Sequence, residues 1–176
     1  KTVWQHLDRE ASHDADRLAN GNTLYNLGWQ DKGQDVVREI NPDGELVWSW
    51  TGMADYNREP FADIDSEGWM HVNSVTRLDN GNTLLACGTQ ARLLEVDRSG
   101  KIVWEMNKDD HPELNFTNAC NLQKLKDGSI LVTNFLRGNS GRGAHAFVLT
   151  KGRKITWTLT DHKNFTATSQ VWAIED

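Results

Sequence analysis

The residues with chemistry to offer are His13 and His71, each near the start of a short run of strand-forming residues. His71 stands in Trp69-Met70-His71-Val72-Asn73-Ser74-Val75, and His13 opens His13-Asp14-Ala15-Asp16-Arg17-Leu18. An imidazole changes charge near neutral pH and can act as base, nucleophile or metal ligand. The bland reading of either residue is a histidine hydrogen-bonded to a neighbouring blade's backbone. Asn73 and Asn118 stand at the same channel end of their strands, Asn118 at the position equivalent to His71 and Asn73 at that equivalent to His13. Arg137 and Arg142 lie in the Gly-rich stretch Leu136-Arg137-Gly138-Asn139-Ser140-Gly141-Arg142-Gly143-Ala144-His145. Two guanidinium groups and several backbone N–H groups suit an anion. The stretch lacks the Gly-Lys-Ser/Thr ending and following helix of a phosphate loop. Asp14 and Arg17 read either as a local ion pair or as polar groups of a channel. His13, Asp14 and His71 would supply three metal ligands. No close-spaced ligand motif supports that, so neither metal nor cofactor is expected. Nothing resembles the nucleophile elbow of a Ser/His/Asp enzyme. Cys87 and Cys120 have no CxxC partner and are expected to be free, buried thiols.

These side chains must be positioned by a repeat. Residues 71–106 read HVNSVTRLDNGNTLLACGTQARLLEVDRSGKIVWEM. Four strand-length runs, 71–78, 82–87, 91–96 and 101–106, are separated by Gly, Asn, Asp and Ser. That is strand and turn chemistry, because Gly and Asn tolerate the positive φ of tight turns. The unit recurs upstream around HDADRLANGNTL and VREINPDGELVW, and downstream around NACNLQKLKDGSIL and VLTKGRKITW. Leu18, Leu78, Leu125 and Ile174 are equivalent, as are Gly21, Gly81 and Gly128, and as are Trp4, Trp48, Trp104 and Trp157. Four-strand repeats of about 40–50 residues are the sequence form of β-propeller blades. The expected fold is therefore all-β: one propeller domain over residues 1–176, built of four-stranded antiparallel blades. Blades are expected at about 11–50, 69–106 and 117–159, with unpaired end strands at 1–6 and 167–176. Propellers usually have about four to eight blades, so three are expected to belong to a larger closed ring. The remaining blades, or further copies of the chain, would complete it.

In such a blade the first strand lines the channel and successive strands alternate in direction. The links between blades and the loops joining second to third strands then share one face, and the tight turns occupy the other. The 18-residue link 51–68, carrying Asp55, Tyr56, Arg58, Glu59, Asp63 and Asp65, and the Gly-rich stretch 136–145 fall on the same face. That face is expected to do the work. At the channel end of the first strands, His71 corresponds to Asn118 and Ala167. Asn73 corresponds to His13, Cys120 and Ser169. Purely structural repeats would keep one apolar residue there. The Trp residues at the ends of the fourth strands are expected to pack between blades. Asn115-Phe116-Thr117 and Asn164-Phe165-Thr166 match the glycosylation sequon, and their equivalent repeat positions explain them without glycans.

The formal net charge of −6 excludes a general nucleic-acid binder. No apolar run approaches the roughly 20 residues of a membrane span.

The runs Trp69-Met70-His71-Val72-Asn73-Ser74-Val75 and Arg77-Leu78-Asp79-Asn80-Gly81-Asn82-Thr83-Leu84 resemble those of arylsulfotransferase-like β-propellers. So do Leu94-Glu95-Val96-Asp97 and Gly100-Lys101-Ile102-Val103-Trp104-Glu105. The resemblance extends over nearly the whole chain and overlaps with pyrroloquinoline-quinone-like propeller repeats. It implies transfer of a sulfuryl group from a phenolic sulfate ester to another phenol, through a channel histidine that carries the group covalently. It implies that other His, Arg and Asn side chains hold the sulfate oxygens, and it favours a periplasmic or extracellular setting. His71 matches the motif histidine, with Asn73 beside it, and His13 matches a second, looser one. Arg137 and Arg142 are candidates for sulfate contact without a matched position. The alternative is a non-catalytic propeller of the quinone-like type, binding a ligand or partner through its loop-rich face. Convergence of His13, His71 and an Arg favours the enzyme; side chains packed against neighbouring strands favour the binding module.

Overall fold

The structure, a computed structural model, describes residues 1–53, 57, 59, 62, 67–88, 90–136 and 141–175. Twelve strands form three antiparallel four-stranded sheets, each in sequential order. Blade one holds β1 (Ala11–Arg17), β2 (Thr23–Leu27), β3 (Val37–Ile40) and β4 (Leu46–Trp50). Blade two holds β5 (Val72–Arg77), β6 (Thr83–Cys87), β7 (Arg92–Val96) and β8 (Ile102–Asn107). Blade three holds β9 (Ala119–Lys124), β10 (Ile130–Asn134), β11 (Ala146–Leu149) and β12 (Ile155–Leu159). A 3₁₀ turn, Pro112–Leu114, lies in the link before blade three. Among the described residues no helix is long and apolar enough to cross a membrane. The architecture is an all-β array of propeller blades.

The repeat is geometric as well as textual. Gly21, Gly81 and Gly128 all have positive φ, and each donates its N–H to the carbonyl of the equivalent Leu18, Leu78 or Leu125. A left-handed residue is needed there, and only glycine takes it without a Cβ penalty. Every blade also carries the same bulge on its outermost strand. Glu39 faces Trp48 while Ile40 faces Leu46, Glu95 faces Trp104 while Val96 faces Ile102, and Val148 faces Trp157 while Leu149 faces Ile155.

Blades stack through two apolar layers. Between blades one and two lie Leu24, Val37, Trp50, Trp69, Val72, Leu85, Leu94 and Val96. Between blades two and three lie Leu84, Leu93, Met106, Phe116, Leu122, Val132 and Phe147. The adjacent residues Leu93 and Leu94 thus serve opposite layers, the period-two alternation of a strand buried on both faces. A polar fastener repeats at the rim. The Trp4 indole N–H donates to Pro42 O at 2.9 Å, and that of Trp48 to Arg98 O at 3.2 Å. Both carbonyls belong to the last turn of the following blade. Arg17 lies over Trp4, Arg77 and Arg98 over Trp48, and Arg153 over Trp104.

The expected end strands form no ladder: residues 1–8 and 160–175 hold no strand. Among the described residues no strand pairs with them, and side-chain contacts hold them instead. Trp4 takes up its place through Pro42 and Arg17. The other end is tied by Gln123, which exchanges bonds with Ala173 N and O at 2.7 and 3.0 Å.

Candidate functional site

The inner strands β1, β5 and β9 lie side by side, and each is irregular at the same level. Val72 pairs with Cys87 but Ser74 with Ala86, leaving Asn73 without a cross-strand partner. Ala119 pairs with Asn134 but Asn121 with Thr133, leaving Cys120 likewise. In β1 the register jumps between Ala11 and Ala15, so Ser12, His13 and Asp14 share that space. A bulge bends the strand and re-aims its side chain. His13, Asn73 and Cys120 are thereby turned onto one cavity of about 320 Å³, which His71, Asn118, Asn121, Phe135 and Ser169 also line.

His71 is nearly buried at 6% exposure and has a left-handed backbone, φ +44°. Such a φ is uncommon outside glycine and is sustained only where surroundings fix it. Gly88 N donates to His71 O at 2.9 Å, and the ring Nδ1 lies 2.6 Å from Glu67 O. A carbonyl only accepts, so Nδ1 carries the hydrogen and Nε2 is the lone-pair nitrogen of the neutral ring. The Glu67 carboxylate lies 4.0 Å from that Nε2. The His13 ring centroid is 5.2 Å from that of His71. Burial, and next the proximity of His71, hold the His13 pKa below its ordinary value, against the opposing pull of Glu67. His13 is therefore a neutral imidazole at neutral pH.

The other expected site residues have mixed fates. Asn73 donates both amide hydrogens, to Asn118 Oδ1 at 3.0 Å and Ala119 O at 2.9 Å. Asn118 in turn receives its backbone placement from Asn134, whose Oδ1 accepts from Thr117 N and Asn118 N. Asp14 lines the cavity, but its Oδ2 accepts from Ser74 Oγ at 2.5 Å and Val75 N at 3.1 Å. These three side chains fasten one blade to the next. Arg142 is exposed on the blade-three loop and is not part of the cavity wall. Arg137 lies outside the described residues, as do Asp55, Tyr56, Arg58, Asp63 and Asp65 of the long link, while Glu59 is exposed. Among the described residues lining the cavity there is no Lys or Arg. Among the described residues the two histidines converge without an arginine.

Sequence reasoning missed Trp29. Its indole is 60% exposed, yet it sits 5.1 Å from His13 and edge-on 5.2 Å from His71. Its backbone is seated by Gly68, where a Cβ would come within 2.9 Å of Trp29 Cα. Trp69 N also donates to Gln30 O at 3.1 Å. Phe135 was missed too: it stands where blades one and two have Gly28 and Gly88, which make room for polar neighbours. A Cβ on Gly28 would meet Ser12 Oγ at 2.5 Å, and one on Gly88 would meet Asn73 Nδ2 at 2.2 Å. The recurrence of glycine at the end of the second strand was the available signal. Glu67 and Asn121 carried none.

A family model described as arylsulfotransferase (ASST) matches residues 2–174. Among solved structures, the chain is similar to a protein of unknown function from Bacteroides caccae, with a TM-score of 0.62 and 23% identity over 86% of this chain and 50% of that one. It is similar to a streptogramin B lyase, with a TM-score of 0.56 and 12% identity over 90% and 45%. It is similar also to a virginiamycin B lyase from Staphylococcus aureus, with a TM-score of 0.54 and 11% identity over 87% and 43%. These are likenesses of fold. The chain spans half or less of the length of each. No curated protein sequence matches it.

Proposed function

From the premise that the chain belongs to the arylsulfotransferase (ASST) family, we propose that it transfers a sulfuryl group from a phenolic sulfate ester to a second phenol, with His71 carrying the group. The observation that carries this reading is the paired imidazoles on one cavity, with the Nδ1–H of His71 committed to Glu67 O. That commitment leaves Nε2 as the nucleophile. In the first half-reaction the Nε2–S bond forms and the ester S–O bond breaks, its electron pair leaving with the phenolate. In the second, the incoming phenol loses its proton and attacks sulfur, the N–S bond breaks, and its pair returns to Nε2. His13, neutral at neutral pH, accepts that proton. The Trp29 indole supplies a flat apolar wall for the aryl ring. Further blades, from more of the protein or from another copy, close the ring around the channel.

The test is release of 4-nitrophenol from its sulfate ester in the presence of a phenol acceptor. His71→Ala abolishes turnover and removes the sulfuryl adduct that mass spectrometry finds on the peptide containing residue 71. His13→Ala leaves the adduct in place and slows its discharge. The fastening of Asn73, Asn118 and Asp14 between blades favours the second reading, a non-catalytic binding propeller. Wild-type protein that binds phenols but forms no adduct would establish that reading instead.

A further inference from the structure

One level below His13, Asn73 and Cys120, the inner strands present Asp14, Ser74 and Asn121, one from each blade. The first two do the same job. Asp14 Oδ2 accepts from Val75 N at 3.1 Å, and Ser74 Oγ accepts from Leu122 N at 3.1 Å, each bond reaching the next inner strand. The corresponding N–H for Asn121 belongs to Val171, which donates to Thr133 Oγ1 at 3.0 Å instead. Asn121 is 4% exposed and lines the cavity, and among the described residues its amide Nδ2 has no hydrogen-bond partner. A buried donor without an acceptor bears its desolvation penalty uncompensated. Asparagine also differs from the Asp and Ser at the equivalent positions in carrying two amide hydrogens.

The remaining wall explains what this donor is for. The cavity has no Lys or Arg among its described residues, and the Asn73 hydrogens are spent on Asn118 and Ala119. The one acidic group of the wall, Asp14, has its Oδ2 bound by Ser74 and Val75 of blade two. Among the described lining residues the donors open to an anion beside the two imidazoles are neutral, and Asn121 Nδ2 is buried where Ser169 and Gln170 are exposed. We propose that Asn121 is an anion-binding residue, its Nδ2 donating to a peripheral oxygen of a bound sulfate ester or sulfonate. This rests on the sulfuryl-transfer reading and adds to it a determinant of affinity for the SO₃ group rather than for the aryl ring.

The experiment uses benzenesulfonate, whose S–C bond cannot be transferred, titrated calorimetrically into the intact native protein. Asn121→Leu removes the donor at similar volume, and Asn121→Ser installs the residue found at position 74. Both are expected to weaken benzenesulfonate about tenfold or more, the usual effect of losing a hydrogen bond to a charged group, and to leave phenol affinity within about twofold. Asn121→Asp, with the same shape and a negative charge, weakens it further. His71→Ala retains benzenesulfonate binding while losing transfer. Unchanged benzenesulfonate affinity in folded Leu and Ser variants overturns the role of Asn121 and leaves that of His71 standing. Wild-type protein that fails to bind benzenesulfonate overturns both.

Discussion

Gly88→Ala tests whether the geometry around His71 is as tight as the structure has it. Gly88 has no positive φ, so alanine meets no backbone strain there. By chain entropy alone the change would stabilise by about 0.4–1 kcal/mol. The steric consequence is opposite in sign. A Cβ would stand 2.2 Å from Asn73 Nδ2 and 2.8 Å from Asn118 Oδ1, and both side chains are buried. Asn73 must move, and with it go two inter-blade hydrogen bonds worth about 1 kcal/mol each. Overpacking adds about 1–3 kcal/mol. The expected net loss is about 2–4 kcal/mol in urea unfolding. A double-mutant cycle isolates the cause: with Asn73→Ala in place, the obstructing amide is gone and Gly88→Ala should cost less by about 1 kcal/mol or more. Costs that add to within about 0.5 kcal/mol would show that the collision does not occur. Since Gly88 N also holds His71 O, the alanine variant should lose the proposed sulfuryl transfer more steeply than stability alone explains.

The other predictions concern separate parts of the array. Burial pushes the Glu39 carboxyl up, but hydrogen bonds from Asn22 and Arg98 and the charges of Arg77 and Arg98 together hold it below the usual carboxylate range. Its stabilisation is therefore full above about pH 4.5 and is lost as pH falls through the depressed value. Glu39→Gln should cost about 1–3 kcal/mol near pH 7, by weakening the charge-assisted bonds from the half-buried Arg77 and the exposed Arg98, and should flatten the acid limb of a urea-midpoint profile. Burial, then the charge of His162, hold His145 below its ordinary pKa, against Asp161. Stability from this fully buried ring is present above about pH 6.5 and declines below it. His145→Val, the residue blade one has as Val36, should remove that decline from thermal midpoints measured between about pH 5 and pH 7.5. Trp29→Ala should raise KM for the aryl sulfate about three- to tenfold, the value of one aromatic contact, with little change in kcat. An equal fall in kcat would mean that the indole orders the imidazoles instead.

The fold was legible because its signals are local and repeated three times. Asn-Gly and Asp-Gly turns need positive φ wherever they occur, and a tryptophan four residues after a turn glycine marks the fourth strand in blades one and two, as Trp157 does four residues after the positive-φ Arg153 in blade three. The bulge opposite those tryptophans was not legible. An extra residue such as Val47 or Val103 has an ordinary strand composition, and only pairing reveals it. The same limit explains the site. His13 and His71 differ in repeat position, and no spacing rule brings them together. They meet where the β1 register jumps between Ala11 and Ala15 and where His71 adopts a left-handed φ. Asn73 reads as a residue beside the motif histidine and Asp14 as an ion-pair or channel group; both line the cavity, and in the structure both also fasten one blade to the next. Asn121 shows the converse. Its sequence neighbourhood, Ala119-Cys120-Asn121-Leu122, is unremarkable strand. What distinguishes it is a hydrogen bond that Asp14 and Ser74 accept and it does not. In a repeat protein, equivalence by sequence establishes what each position normally does for the stack. A polar residue excused from that duty, buried and facing a cavity, is where function is to be sought, and such an exemption is visible only once the hydrogen bonds of all three blades are laid side by side.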